Sequence, residues 1–370
     1  MKPRRWSASR ARSSINESDA MRRIRQRLAR RAKSLLFAML LVFACCRNQA
    51  ARNDSWTLHG GFGGIGLIAA AVRCGDLVFL ADAQSTIRPV NIIAHQELPP
   101  LSLESSPNAL AADCGHQILY PVFRQSTKSG PTVAAIRFPS GDVLRQYPLD
   151  VSLVRGSYFR PPDSLFVAAL VHEGPDTTPS HVAEAVFANT HLGIRLSLAT
   201  GEVERVFAPY EQPCIGGAAT CLDVRLAPGA SRWLVAQPTS THVGVYDAVG
   251  VLSRTIDITS PGFRRTGRVL DTPRAEERVR WMAENSSIAG VFQFAQHFAT
   301  AHARPNLPPG WTLGQPVSFS VLMNVHSYAG ALVRADVDLP GLPIGQDEEG
   351  VFAVSYGTAG QATLWRIAVL

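Results

Sequence analysis

Gly61-Phe62-Gly63-Gly64-Ile65-Gly66 is the run whose spacing comes nearest to cofactor chemistry. In a Gly-x-Gly-x-x-Gly turn the missing side chains let backbone amides approach a pyrophosphate, and an acid about 20 residues on holds a ribose. Here Leu77-Val78-Phe79-Leu80 leads to Asp82. The context argues against a nucleotide site. Asn53 to His59 is too polar for a buried strand, Gly75-Asp76 ends any helix early, and no strand–helix alternation follows. The run reads as a junction into the first strand, and no cofactor is expected.

The remaining reactive residues are scattered. His297 and His302 are five apart, which fits neither one helical face nor one strand face. There is no His-Glu-x-x-His and no Cys-x-x-Cys, so no metal site is expected. Gly-x-Ser-x-Gly, the nucleophile elbow, is absent too. Asp82, Asp223 and Asp247 stand at strand ends, where an Asp carboxylate more often caps a turn than performs catalysis. No catalytic residue is assigned on this basis.

Residues 1–45 set the chemical environment. An arginine-rich stretch runs into the apolar Leu35–Ala44, which ends at Cys45-Cys46. A charged segment, a short apolar segment and a small residue before the cut form the pattern of an export signal. Val42-Phe43-Ala44-Cys45 is lipobox-like, which makes Cys45 the candidate lipidated terminus and a membrane the expected first partner. Met21 opens a tidier signal than Met1. The apolar run is half the length of about 20 residues that a membrane span needs. Of 36 basic and 29 acidic residues, 12 and 2 fall within 1–46, leaving 24 against 27 and a net charge near −3. The basic character belongs to the leader, so no nucleic-acid partner is expected.

An exported chain enters an oxidising compartment, where cysteines pair. Cys214 and Cys221 flank a short glycine-containing loop and are expected to form one disulfide; Cys74 and Cys114 are expected to form the second.

The elements that carry these residues are strands. Leu77–Leu80, Val133–Ile136, Trp233–Ala236 and Val351–Val354 are short apolar runs between Gly, Pro, Asp and Ser turns. Gly141, Gly201 and Gly250 each sit in a tight turn joining two such runs. Cys74-Gly75-Asp76-Leu77-Val78-Phe79-Leu80 aligns with Cys114-Gly115-His116-Gln117-Ile118-Leu119-Tyr120 at an offset of 40. A period near 40 with four strands per unit is that of a propeller blade. Blades are expected at 64–104, 107–150, 153–208, 221–258, 286–340 and 347–370, with five to seven blades as the range. The last is too short for four strands, so Ser55-Trp56-Thr57-Leu58 is expected to supply the missing one and close the ring, because an open ring leaves strand edges unpaired. The domain division is then a signal at 1–45, a linker with the ring-closing strand at 46–63, and an all-β propeller at 64–370. The charged Thr272–Asn285 is expected to form a short helix or ordered loop connecting two blades. Trp233, Trp281, Trp311 and Trp365 are expected to fill space between blades.

Gly75-Asp76-Leu77-Val78-Phe79-Leu80-Ala81-Asp82, together with Gly350-Val351-Phe352-Ala353-Val354-Ser355 and Leu364-Trp365-Arg366-Ile367, resembles the blade element of six-bladed β-propeller proteins of bacterial envelopes, related to NHL-repeat propellers. The resemblance implies a fold more than an activity. It fits a binding or scaffold protein of the envelope whose partner is a protein, peptide or glycan. The competing expectation is a hydrolase or lyase with carboxylates or a metal in the central channel. Three or more acids or histidines converging on one channel mouth favour the enzyme; a wall of small apolar residues favours the binder.

Overall fold

Five four-stranded antiparallel sheets and one five-stranded sheet form a closed ring, the architecture of a six-bladed β-propeller. The computed structural model describes residues 54–58, 68–123, 131–151, 153–172, 190–209, 225–228, 231–265, 275–313, 315, 317–356 and 361–369. Cys45, Cys214, Cys221, Asp223 and the glycine run at Gly61 lie outside them.

Strand β1 (Asp54–Leu58) belongs to the last blade. Blade I holds β2 (Ile68–Cys74), β3 (Leu77–Asp82), β4 (Thr86–Asn91) and β5 (Gln96–Glu97), with β6 (Leu101–Ser102) also paired to β4. Blade II holds β7 (Pro107–Asp113), β8 (Ile118–Phe123), β9 (Thr132–Arg137) and β10 (Val143–Pro148). Blade III holds β11 (Leu153–Arg160), β12 (Ser164–His172), β13 (Thr190–Ser197) and β14 (Val203–Val206). Blade IV holds β15 (Arg225–Pro228), β16 (Arg232–Ala236), β17 (His242–Asp247) and β18 (Leu252–Asp257). Helix α1 (Ala275–Glu284) leads into blade V, with β19 (Ser287–Gln293), β20 (His297–Asn306), β21 (Ser318–Ser327) and β22 (Leu332–Leu339). Blade VI holds β23 (Leu342–Gln346), β24 (Gly350–Tyr356) and β25 (Ala362–Ala368), with β1 outermost. Blade VI therefore starts at Leu342, ahead of the expected 347, because Leu342–Gln346 is an inner strand.

The core is layered between blades rather than gathered at one centre. Six apolar clusters each join two neighbouring blades, and the last joins VI to I through Leu58, Leu364, Val78 and Leu80. The second strand of each blade is buried on both faces, which is why Leu77–Leu80 and Val351–Val354 read as unbroken apolar runs instead of alternating ones. Trp233, 1% exposed, packs between blades III and IV against Phe166 and Phe207. Helix α1 lies in the IV–V connection against β20, with Trp281 buried. No helix among the described residues is long and apolar enough to cross a membrane.

Four hairpins between the third and fourth strands share one sequence: Gly141-Asp142-Val143-Leu144-Arg145, Gly201-Glu202-Val203-Glu204-Arg205, Gly250-Val251-Leu252-Ser253-Arg254 and Gly330-Ala331-Leu332-Val333-Arg334. Each glycine has a positive φ, from +80° to +94°, which a side chain would strain. The arginine of one blade can then clasp the next. Arg145 donates to the carbonyls of Leu198 (3.2 Å) and Ala199 (2.9 Å) in blade III, and Arg254 donates to Tyr328 O of blade V at 2.6 Å.

Candidate functional site

The six innermost strands run the same way around a central channel of about 1470 Å³. Four of its lining residues share one backbone device. The pairing of four innermost strands with the second strand of their blade slips at Ala69, Asn108, Ala289 and Ile344, and each of these residues lines the channel. Arg155 holds the same backbone place in β11. Nothing in the composition marks these positions, because a bulge is a property of the pairing.

Small residues form part of the wall, between larger apolar and polar ones. Ala70, Ala71, Ala112, Gly156, Gly290 and Gly345 line it. At Gly345 an added Cβ would stand 2.4 Å from the Ala71 carbonyl oxygen, so the backbones of blades VI and I touch there without a side chain between them. Polar groups make up much of the rest, the arginines Arg73, Arg225, Arg232 and Arg366 among them. Ser157 is 4% exposed, and its Oγ has no hydrogen-bond partner among the described residues. Beside it, burial pushes the Tyr158 phenol up to about 12, with Arg225 pulling the other way. Arg225 Nε donates to Ala289 O at 2.9 Å across the IV–V junction. At the channel rim Arg232 lies 3.7 Å above the Tyr328 ring.

Three acids, Asp347, Glu348 and Glu349, line the mouth at which the innermost strands end. They do not converge from several blades; they follow one another in the β23–β24 turn. Asp347 is also engaged. Its Oδ2 accepts from Arg73 (2.7 Å) and Arg366 (2.6 Å), and its Oδ1 accepts from the N–H groups of Glu349 (2.9 Å) and Gly350 (2.8 Å). Burial pushes its carboxyl up, but Arg366, the Glu349 amide and Arg73 together outweigh that and hold it below the usual carboxylate range. This carboxylate fastens blade VI to blade I. Its side chain is 4% exposed, so Asp347→Asn strands two guanidinium groups and is expected to cost about 3 kcal/mol, measured by urea unfolding. An unchanged midpoint would show that the mouth does not depend on this clasp.

Asp82 and Asp247 cap turns. Asp82 Oδ1 accepts from Gln84 N at 2.9 Å and its Oδ2 pairs with Arg88 at 2.8 Å. Asp247 Oδ1 accepts from Val249 N (3.0 Å) and Val251 N (2.9 Å). Neither residue lines the channel. Cys74 and Cys114 form a disulfide joining the ends of the innermost strands of blades I and II. His297 and His302 are not brought together: His302 turns into the blade IV–V layer, where its Nε2 meets Thr300 Oγ1 at 2.9 Å and its ring meets Phe263 edge-on. The same layer holds His326, stacked on Phe298, and Asn324, which bonds Ser260 and the Asp336 backbone N–H. No group of three His, Cys, Asp or Glu among the described residues is placed to hold a metal.

These two histidines make stability depend on pH. Burial, aided by His326, lowers His302 to about 3; burial lowers His326 to about 4 against the pull of Asp257. The unfolded chain takes up protons below its ordinary histidine value of 6.5, while the native layer stays neutral. Stability is therefore full above 6.5 and lost as pH falls from there toward 3. His302 alone is expected to remove about 2 kcal/mol between pH 6.5 and pH 5. Urea titrations at pH 7.5 and 5 check this, and His302→Gln should narrow the gap by that amount.

The sequence matches no protein-family model and no curated protein. Solved structures of similar fold do exist. A member of the DUF4221 family from Bacteroides vulgatus aligns at 13% identity over 86% of this chain and 96% of its own, with a TM-score of 0.59. The structure of U3-55K aligns at 11% identity over 85% of this chain and 98% of its own, with a TM-score of 0.50. At such identities the likeness carries the fold and nothing of the chemistry. What the blades, their ring and these neighbours establish is a six-bladed β-propeller with a central channel of mixed lining.

Proposed function

We propose that this chain is an exported, N-terminally lipid-anchored propeller of the bacterial cell envelope that binds a peptide, a glycan strand or a segment of an envelope protein in its central channel. The observation that carries this reading is the channel wall. Alanines and glycines on five of the six innermost strands, set beside polar and aromatic residues, leave a space of about 1470 Å³. That is larger than the ~300–1,000 Å³ typical of small-molecule pockets and suits an extended ligand. Of the mouth acids, Asp347 is spent on structure, tied by two arginines, while Glu348 and Glu349 are exposed and Glu349 reaches Arg366 at 3.2 Å. The leader ending at Cys45 and the Cys74–Cys114 disulfide support export, since such bonds persist in oxidising compartments.

Two measurements test it. Intact mass of the mature protein, with and without reduction, should show a start at Cys45 with added acyl mass; an uncleaved chain with free thiols overturns export. Separately, Ala69→Phe with Ala289→Phe should narrow the channel while leaving the melting temperature within about 2 °C, since both residues sit at bulges rather than in a blade layer. Peptidoglycan fragments, oligosaccharides and oligopeptides are screened by thermal shift against both proteins. A ligand that stabilises only the wild-type channel supports the reading. Turnover of a screened ester or glycoside, abolished in the narrowed channel, replaces it with a hydrolase.

A further inference from the structure

Arg232 opens β16 at the mouth where the innermost strands end, and it lines the channel. Its guanidinium carbon lies 3.7 Å from the centroid of the Tyr328 ring, stacked on the ring's face. The three other arginines of the wall are engaged with protein oxygens. Arg73 and Arg366 hold Asp347 at 2.7 and 2.6 Å, and Arg225 donates to Ala289 O at 2.9 Å. Arg232 has no hydrogen bond or ion pair among the described residues. Asp247 stands opposite it in the β16–β17 register, but the Asp247 Oδ1 accepts from the N–H groups of Val249 and Val251 instead.

The ring beneath Arg232 is fixed. The Tyr328 hydroxyl donates to Phe294 O at 2.6 Å, and the Tyr328 carbonyl accepts from Arg254 at 2.6 Å. Burial raises the phenol against the pull of Arg232, so it stays a neutral donor near neutrality. A guanidinium stacked on a ring keeps its N–H groups in its own plane, directed away from the stack. Two of them match the two oxygens of a carboxylate and bond both at once. Arg232 is such a fork, already oriented and still unspent, at the rim of the channel.

We propose that Arg232 anchors a carboxylate of an extended peptide lying in the channel. This anchor presupposes the ligand-binding channel proposed above and names the chemistry of its occupant. Each innermost strand is the terminal strand of its sheet, so one edge of its backbone N–H and C=O groups is left for a ligand, and an extended peptide carries the matching groups. Strand β2 has seven residues, and at roughly 3.3 Å each the channel is about 20 Å long, room for about six extended residues. A sugar chain is held best by open aromatic faces, whereas at this mouth Tyr328 already carries Arg232 and Phe159 already stacks on Tyr120 at 5.7 Å. Glu348 and Glu349 in blade VI share the mouth, so a small free anion gains little there. The carboxylate must arrive on a chain that the channel itself holds.

The test presents the full chain with two matched libraries of N-acetylated hexapeptides, one with free C-terminal carboxylates and one amidated, and identifies retained peptides by mass spectrometry. In the amidated library only Asp and Glu side chains carry a carboxylate. Retention of the acid library roughly tenfold above the amidated one places the carboxylate at a chain end. Retention of both, with Asp or Glu enriched, places it on a side chain. In either case Arg232→Gln should abolish the preference, and Arg232→Lys should keep only part of it, since the charge remains without the fork. Both variants should melt within about 2 °C of wild type, so a lost preference is not lost folding. Binding without a carboxylate preference, or a preference that survives Arg232→Gln, overturns the anchor and leaves the channel reading standing. Retention of an oligogalacturonate through Arg232, with no peptide retained, overturns the peptide in favour of an acidic glycan. If neither is retained the anchor falls, and the thermal-shift screen decides the channel reading separately.

Discussion

Trp56→Ala is expected to lower the unfolding free energy by about 4 kcal/mol, the usual loss for a buried tryptophan. Trp56 is 6% exposed and packs in the layer between blades VI and I. Its Nε1 also donates to the Ile92 carbonyl of blade I at 3.2 Å, so one side chain ties the N-terminal strand to both blades. The backbone makes the site more sensitive still. Among the described residues five register pairs, from Asp54–Arg366 to Leu58–Ala362, join β1 to β25, and no hairpin connects the two strands. If β1 peels away, the edge of β25 is left unpaired, a surface prone to pairing with another chain. Besides a lower urea midpoint, hydrogen exchange across 362–368 should rise at least tenfold over wild type, because β25 loses its outer neighbour. Ser55→Ala, whose residue is exposed on the same strand, is the control and should be near neutral. If Trp56→Ala and Ser55→Ala behave alike, β1 does not close the ring.

Loss of the Cys74–Cys114 bond should have an effect of similar size by a different route. The bond closes a loop of 40 residues between the first two blades. Restricting a loop of that length in the unfolded chain stabilises the native state by about 4 kcal/mol in the chain-entropy model. For a ring of this size that corresponds to a drop of about 6 °C in melting temperature. Cys74→Ser with Cys114→Ser, measured by calorimetry without reductant, should show it, and dithiothreitol should lower wild type by at least as much. If the double variant melts with wild type, the bond is absent or its loop is already ordered when unfolded. Cys214 and Cys221 enclose a much shorter loop outside the described residues, so the proposed second bond would contribute less. Further loss on reducing the double variant would report it.

The strand content could be read from the chain because blade strands are short and bounded by turn residues that act locally. Gly141, Gly201 and Gly250 need positive φ whatever surrounds them, and the apolar runs at Leu77 and Val351 need burial on both faces. The period near 40 follows from four strands and their turns, which is why the blade count was within reach. The capping roles of Asp82 and Asp247 were legible for the same reason: an Asp two residues before a turn amide is a local arrangement.

Long-range partners were not legible. Nothing near Asp347 in sequence announces that Arg73 will reach it across the seam where the ring closes, or that this makes Asp347 structural. His302 gave no sign of becoming a buried neutral group; that follows from meeting Phe263 and His326 in the layer between two blades. The bulges at Ala69 and Asn108, which line the channel, arise from strand pairing, and the channel exists only once six sheets share an axis. Periodicity and turn chemistry act over a few residues, so the blade, its length and its turns belong to the chain alone. The clasp and the channel wall depend on which blade stands next to which, and closure of the ring decides that.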